Sequence, residues 1–216
     1  MKKVVLLIVV LCALAGAINA QQISASPLEG HWVWDGRGSD IPDFVEVVFF
    51  GNIMLIMEDH VPFFIGFPFD YTDRTINVED FGFVLYYRFL DNILIFIDPH
   101  LNEEFHYTKT QTPRSPLEGI WQVTGGVGYI PGEAQHMLFT GGIMAIGEDH
   151  EYFGMHIDFE GRTFRPSIAF LGDAVLDISE DELEEYLNSM RMSYTLSGNQ
   201  LTLYHQGEEL TLRKIY

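Results

Sequence analysis

Ser26-Pro27-Leu28-Glu29-Gly30-His31-Trp32 recurs as Ser115-Pro116-Leu117-Glu118-Gly119-Ile120-Trp121, 89 residues further on. Ile53-Met54-Leu55-Ile56-Met57-Glu58-Asp59-His60 recurs as Ile143-Met144-Ala145-Ile146-Gly147-Glu148-Asp149-His150, 90 residues on. Order and spacing are both kept. The chain therefore reads as two copies of one small unit, and the fold has to be solved per copy.

Each copy is written in short apolar runs separated by turn residues. The first gives Gly30–Trp34, Phe44–Phe50, Ile53–Glu58, Phe63–Tyr71, Thr75–Asp80, Phe83–Phe89, Ile93–Asp98 and Glu104–Lys109. Gly51-Asn52, Thr72-Asp73 and Asp91-Asn92 punctuate them, as hairpins require. Phe63, Ile65, Phe67, Phe69 and Tyr71 alternate on one strand face. Pro62 and Pro68 cannot donate to a ladder, so that strand is expected at an edge or with a bulge. The second copy gives Gly119–Val123, Gln135–Phe139, Ile143–Glu148, Tyr152–Phe159, Arg162–Phe170, Met192–Leu196, Gln200–His205 and Glu208–Ile215. Eight short strands at regular spacing predict a closed barrel or sandwich. The expectation is an all-β chain of two tandem eight-stranded antiparallel up-and-down barrels, over residues 21–111 and 112–216.

Residues 178–190 depart from the repeat. Ser179 and Glu182 form a capping box, and Ile178 and Leu183 stand at hydrophobic-staple positions. Leu183, Tyr186, Leu187 and Met190 follow at helical spacing. Acidic residues crowd the first turns, where the helix dipole favours them. The pattern predicts one short helix inserted between the fifth and sixth strands of the second unit. It would serve as a lid over a barrel mouth or as a structural prop.

The first twenty residues read as a signal peptide: Lys2-Lys3, an apolar run over Val4–Leu14, and small residues up to Ala20. Eleven apolar residues fall short of the roughly 20 a membrane helix needs. Export to the periplasm or the extracellular space is expected, with no transmembrane segment in the mature chain. Cys12 admits a lipidated reading as well, although bulky Leu11 precedes it. With the signal removed no cysteine remains, which excludes thiol catalysis and thiolate metal sites. The first twenty residues hold two of the 12 basic residues and none of the 31 acidic ones. The remainder thus carries ten against 31, a net charge of −21. Such a surface repels nucleic acid and anionic lipid.

Gly30-His31-Trp32 and Gly119-Ile120-Trp121 each open the first strand of an eight-strand unit. That placement resembles the Gly-x-Trp signature of lipocalins and related calycin-type barrels. The closest likeness is to the compact lipocalin-like domains of bacterial exported proteins. The resemblance implies that Trp32 and Trp121, with Gly30 and Gly119, close one end of each barrel. It also implies a basic residue over each indole: Arg213 in the second unit, Lys109 or Arg114 in the first. Departing from the family pattern, Ser-Pro-Leu-Glu replaces the usual residues before the glycine.

No catalytic constellation is present. There is no His-Glu-x-x-His, Gly-x-Ser-x-Gly or phosphate loop. Glu58–His60 and Glu148–His150 survive in both copies, but neighbouring residues on a turn cannot all face one ion, and no zinc or calcium site is expected there. No cofactor is implied. Aromatic residues crowd the first unit; Met137, Met144, Met155, Met190 and Met192 enrich the second. They mark a core, an apolar pocket, or an apolar face. The preferred reading is a non-catalytic binding protein with a small apolar ligand in a barrel mouth, held by Leu183, Leu187, Met190, Phe153 and Met155. The alternative is a protein-interaction module using an exposed aromatic face.

Overall fold

A computed structural model describes residues 26–37, 44–59, 61, 63–78, 82–100, 102–111, 115–126, 135–148, 151–167 and 179–216. The signal peptide, Cys12, Arg114, Ile178, His60 and Asp149–His150 lie outside the described residues. Within them the chain is all-β with one helix. That helix is not long and apolar enough to cross a membrane.

The N-terminal strands are β1 (Gly30–Trp34), β2 (Glu46–Phe50), β3 (Ile53–Met57), β4 (Phe64–Pro68), β5 (Asp70–Tyr71), β6 (Thr75–Val78), β7 (Phe83–Leu90), β8 (Ile93–Asp98) and β9 (Glu103–Lys109). The C-terminal strands are β10 (Gly119–Gly126), β11 (His136–Thr140), β12 (Ile143–Glu148), β13 (Glu151–Glu160), β14 (Thr163–Pro166), β15 (Met192–Ser197), β16 (Gln200–His205) and β17 (Glu208–Lys214). The helix α1 (Glu180–Ser189) lies between β14 and β15, as the sequence predicts. Ser179 caps it with a complete capping box.

From β10 to β17 each strand pairs antiparallel with the next, and β17 returns to β10. This is a closed eight-stranded antiparallel barrel. The N-terminal strands carry the same sequential ladder: β1 with β2, β2 with β3, β3 with β4, β5 with β6, then onward to β9, which pairs with β1. β4 and β5 are one run interrupted at Phe69. Pro68 ends β4, and the Phe69 amide donates to Asn52 O at 2.9 Å. Gly51 and Asp91 take left-handed backbone conformations in two of the sequence-marked turns.

The edge expected for the Phe63–Tyr71 strand is not found. β4 has β3 on one side and β13 on the other, with Phe64, Ile65 and Gly66 opposite Gly154, Phe153 and Tyr152. Pro68 sits at the strand's last position, so its missing N–H leaves this ladder intact. Two glycines permit the approach. A Cβ on Gly66 would collide with Leu55 and stand 2.7 Å from Tyr152 Cβ, and one on Gly154 would stand 3.0 Å from Ala145 Cβ. Around this seam Val48, Ile53, Leu55 and Phe64 pack with Leu138, Ile143, Ala145 and Tyr152 in a buried cluster of their own. Phe63 and Phe64, being consecutive, point apart: Phe64 is buried in the seam and Phe63 is exposed.

The two Ser-Pro-Leu-Glu-Gly-x-Trp segments fold alike. Ser26 and Ser115 hydroxyls accept from the Leu28 and Leu117 amides, and both leucines are buried. The Trp32 and Trp121 indoles are buried and each donates 2.7 Å to the carbonyl of Leu28 or Leu117. Glu29 accepts from the Gly51 amide, and Glu118 from the Gly141 amide, tying down the hairpins β2–β3 and β11–β12. Lys109 Nζ lies 5.3 Å over the Trp32 ring and Lys214 Nζ 5.6 Å over the Trp121 ring. Each lysine also donates to a carbonyl at 2.5 Å, Glu29 O or Glu118 O. Gly30 and Gly119 have φ of 127° and 137°, and a side chain on either would strike the covering lysine.

The cation on Trp121 is therefore Lys214, not Arg213. Residues directly opposite across a ladder share a face. Trp121 is opposite Lys214, as Trp32 is opposite Lys109, whereas Arg213 is opposite Gln122 and bonds its side chain outside. We expect Trp121→Ala to cost about 3–5 kcal/mol, the usual scale for a deleted core aromatic. Lys214→Met should cost about 0.5–1 kcal/mol, and Arg213→Met less. Urea denaturation of the three variants checks the order; equal losses for Lys214 and Arg213 would contradict it.

Candidate functional site

The interiors of the two strand sets are filled differently. Trp32, Phe49, Phe67, Phe69, Tyr87, Phe96 and Tyr107 occupy the N-terminal one. The C-terminal barrel packs Trp121, Phe139 and Phe164 with Met137, Met144, Leu201, Leu203 and Leu212. Space remains at one end of it. A cavity of about 300 Å³ is lined by five methionines (Met137, Met144, Met155, Met190 and Met192), by Ile146, Ile157, Phe164, Pro166, Leu203 and Leu210, and by His205, Glu208 and Glu209. The N-terminal set has a smaller recess of about 200 Å³ among Phe44, Tyr86, Phe96, Phe105 and Tyr107.

Strand alternation puts the sulfur side chains on one wall. Met137, Met144 and Met155 belong to the adjacent strands β11, β12 and β13, and Met144 stands directly opposite Met155. Met192 on β15 is opposite Phe164 on β14. Met190 is the C-cap of α1, which delivers it to the cavity. The helix end is fixed by ion pairs: Arg165 reaches Glu184 at 2.6 Å, and Arg191 reaches Glu160 at 2.6 Å and Asn188 at 2.9 Å. The Arg165 contact holds the Glu184 carboxyl below its ordinary pKa, and the Ser179 bonds of the capping box do the same for Glu182.

Of the five residues that the sequence offers for a ligand, Met155 and Met190 line the cavity. Leu183 and Leu187 are buried but lie outside the lining, so their side of the helix packs on protein. Tyr186 is half exposed and leaves the apolar stripe. Phe153 does not line the cavity and is 56% exposed. It shares the inward parity of Met155 and stands opposite Ile146 of β12, but on its other side β13 has β4 in place of β14 at this end, with Phe153 opposite Ile65. The methionine enrichment was the signal for Met137, Met144 and Met192. His205 had none, since its place depends on the β15–β16 register.

A polar cluster sits at the seam. Glu46 Oε2 accepts from His31 Nε2 at 2.7 Å and lies 3.3 Å from His156 Nε2. His31 and Glu46 come from the N-terminal set, His156 from β13. Phe64 packs edge-on against both imidazoles. Among the described residues no group of three or more His, Cys, Asp or Glu is placed to hold a metal ion. Sequence spacing does not join these three; the β4–β13 seam does.

No protein-family model matches the chain, and no curated protein matches its sequence.

Burial alone would raise the Glu46 carboxyl, but the hydrogen bonds and charges of His156 and His31 outweigh it and hold the pKa at about 2. A carboxylate depressed in the fold stabilises above its unfolded pKa, near 4.5, and loses that contribution as pH falls towards 2. The stability gap between the wild type and Glu46→Gln should therefore be full near pH 6 and shrink between about pH 4.5 and 2. Urea melts at pH 6 and pH 3 measure it. A gap that widens on acidification would contradict the assignment.

Proposed function

We propose that the protein is an exported, non-catalytic binding protein built of two tandem lipocalin-like barrels, holding a small apolar ligand in the mouth of the C-terminal one. The cavity carries this reading. Its volume reaches the lower end of ligand pockets, and its walls are apolar with polar groups confined to one side, as ligand sites usually are. The tandem reading is supported by the N-terminal ladder, which runs from β1 through the bent β4–β5 strand back to β1. It is supported also by the matching Trp-Lys seals, and by the seam, where Phe64 faces Gly154, the residue 90 positions on. The lipocalin likeness rests on those seals and on the strand count. The domains are then residues 21–111 and 112–216, after a signal over 1–20.

The alternative is a protein-interaction module. Val84, Tyr86 and Leu90 favour it, three exposed apolar side chains at alternate or near-alternate positions of β7. Exchanging all three for Ser should leave ligand binding intact if the cavity is the working site.

Environment-sensitive apolar dyes, and native mass spectrometry of protein from its own source, test the cavity. Met190→Trp should fill the mouth and abolish dye binding. Leu187→Ala should lower stability by about 2–5 kcal/mol, as for a buried leucine, with dye binding kept. Unchanged dye binding in a folded Met190→Trp variant would remove the cavity as the ligand site.

A further inference from the structure

We infer that the same cavity is a binding site for a soft monovalent cation of the Cu(I) class, held by methionine thioethers. Five of the chain's eight methionines line this one space. Barrel packing does not require them. The residues 90 positions before Met137, Met144 and Met155 are Val47, Met54 and Ile65, which fill the corresponding inward places of the other ladder with mostly sulfur-free apolar groups. Branched aliphatic side chains therefore satisfy the same strands. What the methionines add is a set of polarizable sulfur donors, four on barrel strands and one on the helix end.

Thioether sulfur is a soft, neutral ligand. It binds Cu(I) in preference to zinc, calcium or magnesium, whose sites are built from carboxylate, imidazole or thiolate. No such hard or borderline cluster exists among the described residues. Among the described residues no cysteine lines the cavity. His205 also lines the cavity; it is buried, and its Nδ1 lies 3.2 Å from the Arg191 carbonyl. Glu208 and Glu209 border the mouth, and the chain is strongly acidic overall, so the field at the rim draws cations in. Neutral sulfur donors leave the complex with a single positive charge, which the adjacent carboxylates offset.

The ligand here differs from the apolar molecule proposed above, although the cavity is the same, so the two readings can fail separately. The test is transfer of Cu(I) from a chromogenic chelator under anaerobic conditions, with Ag(I) as a redox-inert probe and Zn(II) as the hard control. Wild-type protein should take up one Cu(I) or Ag(I) and leave Zn(II). Met144→Leu with Met155→Leu conserves apolar volume. It should weaken Cu(I) binding by about tenfold or more, the scale of losing even an outer partner, while the thermal midpoint stays. Met190→Leu, at the helix end, gives a second variant should the double exchange disturb the core. Failure of the wild type to compete with the chelator overturns the inference, as does full affinity in folded leucine variants. Dye binding without Cu(I) uptake leaves the apolar reading standing alone; absence of both removes the two together.

Discussion

The contact on which the rest depends is the indole N–H of Trp32 or Trp121 donating to a leucine carbonyl four residues earlier. It turns Ser-Pro-Leu-Glu-Gly-x-Trp into a closed knot. The bond satisfies the one polar atom of a buried indole, which would otherwise cost roughly 1–3 kcal/mol. It brings the preceding turn over the ring, buries the leucine, and aims the glutamate at the next hairpin. The glycine leaves room for the lysine of the last strand. First, second, third and last strands of a ladder are thereby joined through seven residues.

The seam is the second constraint. β4 and β13 stay paired with β3 and β12 on one side; on the other side each meets the seam at one end, and the next strand of its own ladder follows at the other, β14 for β13 and β6 by way of β5 for β4. The backbones meet only because Gly66 and Gly154 carry no Cβ, and the buried cluster behind them joins the outer faces of β2 and β3 to those of β11 and β12. This wall holds β12 and β13 in place from outside, and the same strands present Met144 and Met155 inside. Seam and cavity are two faces of one pair of strands.

Most strands were legible because one face of each is buried and the side-chain period is two. The helix was legible because Ser179, Glu182 and its apolar stripe agree. Three features were not. Arg213 and Lys214 are adjacent, and only the ladder register says which one covers Trp121. Phe153 has the right parity for the interior, but parity cannot report that β13 has β4 and not β14 beside it at that end. Pro62 and Pro68 pointed to an edge or a bulge, and the run does break after Pro68, but local rules describe a strand's own hydrogen bonds and not a neighbour arriving from 90 residues away. The site itself was half legible: composition showed the methionines, while His205 and the His31–Glu46–His156 cluster needed long-range pairings.

The size of the cavity bears on whether it is empty space or working space. An eight-stranded barrel is only just wide enough for its own side chains, and the interior of the N-terminal strands is filled by aromatic residues. A sealed void of 300 Å³ in the other would cost on the order of 7 kcal/mol at about 24 cal/mol per Å³. That is comparable with the whole stability of a typical domain, roughly 5–15 kcal/mol. Such a void is tolerable only where it meets solvent or a ligand, and the exposed Glu208 and Glu209 border it on the side where that contact occurs. Larger side chains at Met137 or Met155 would have removed the cost. Flexible thioethers there keep the space adjustable.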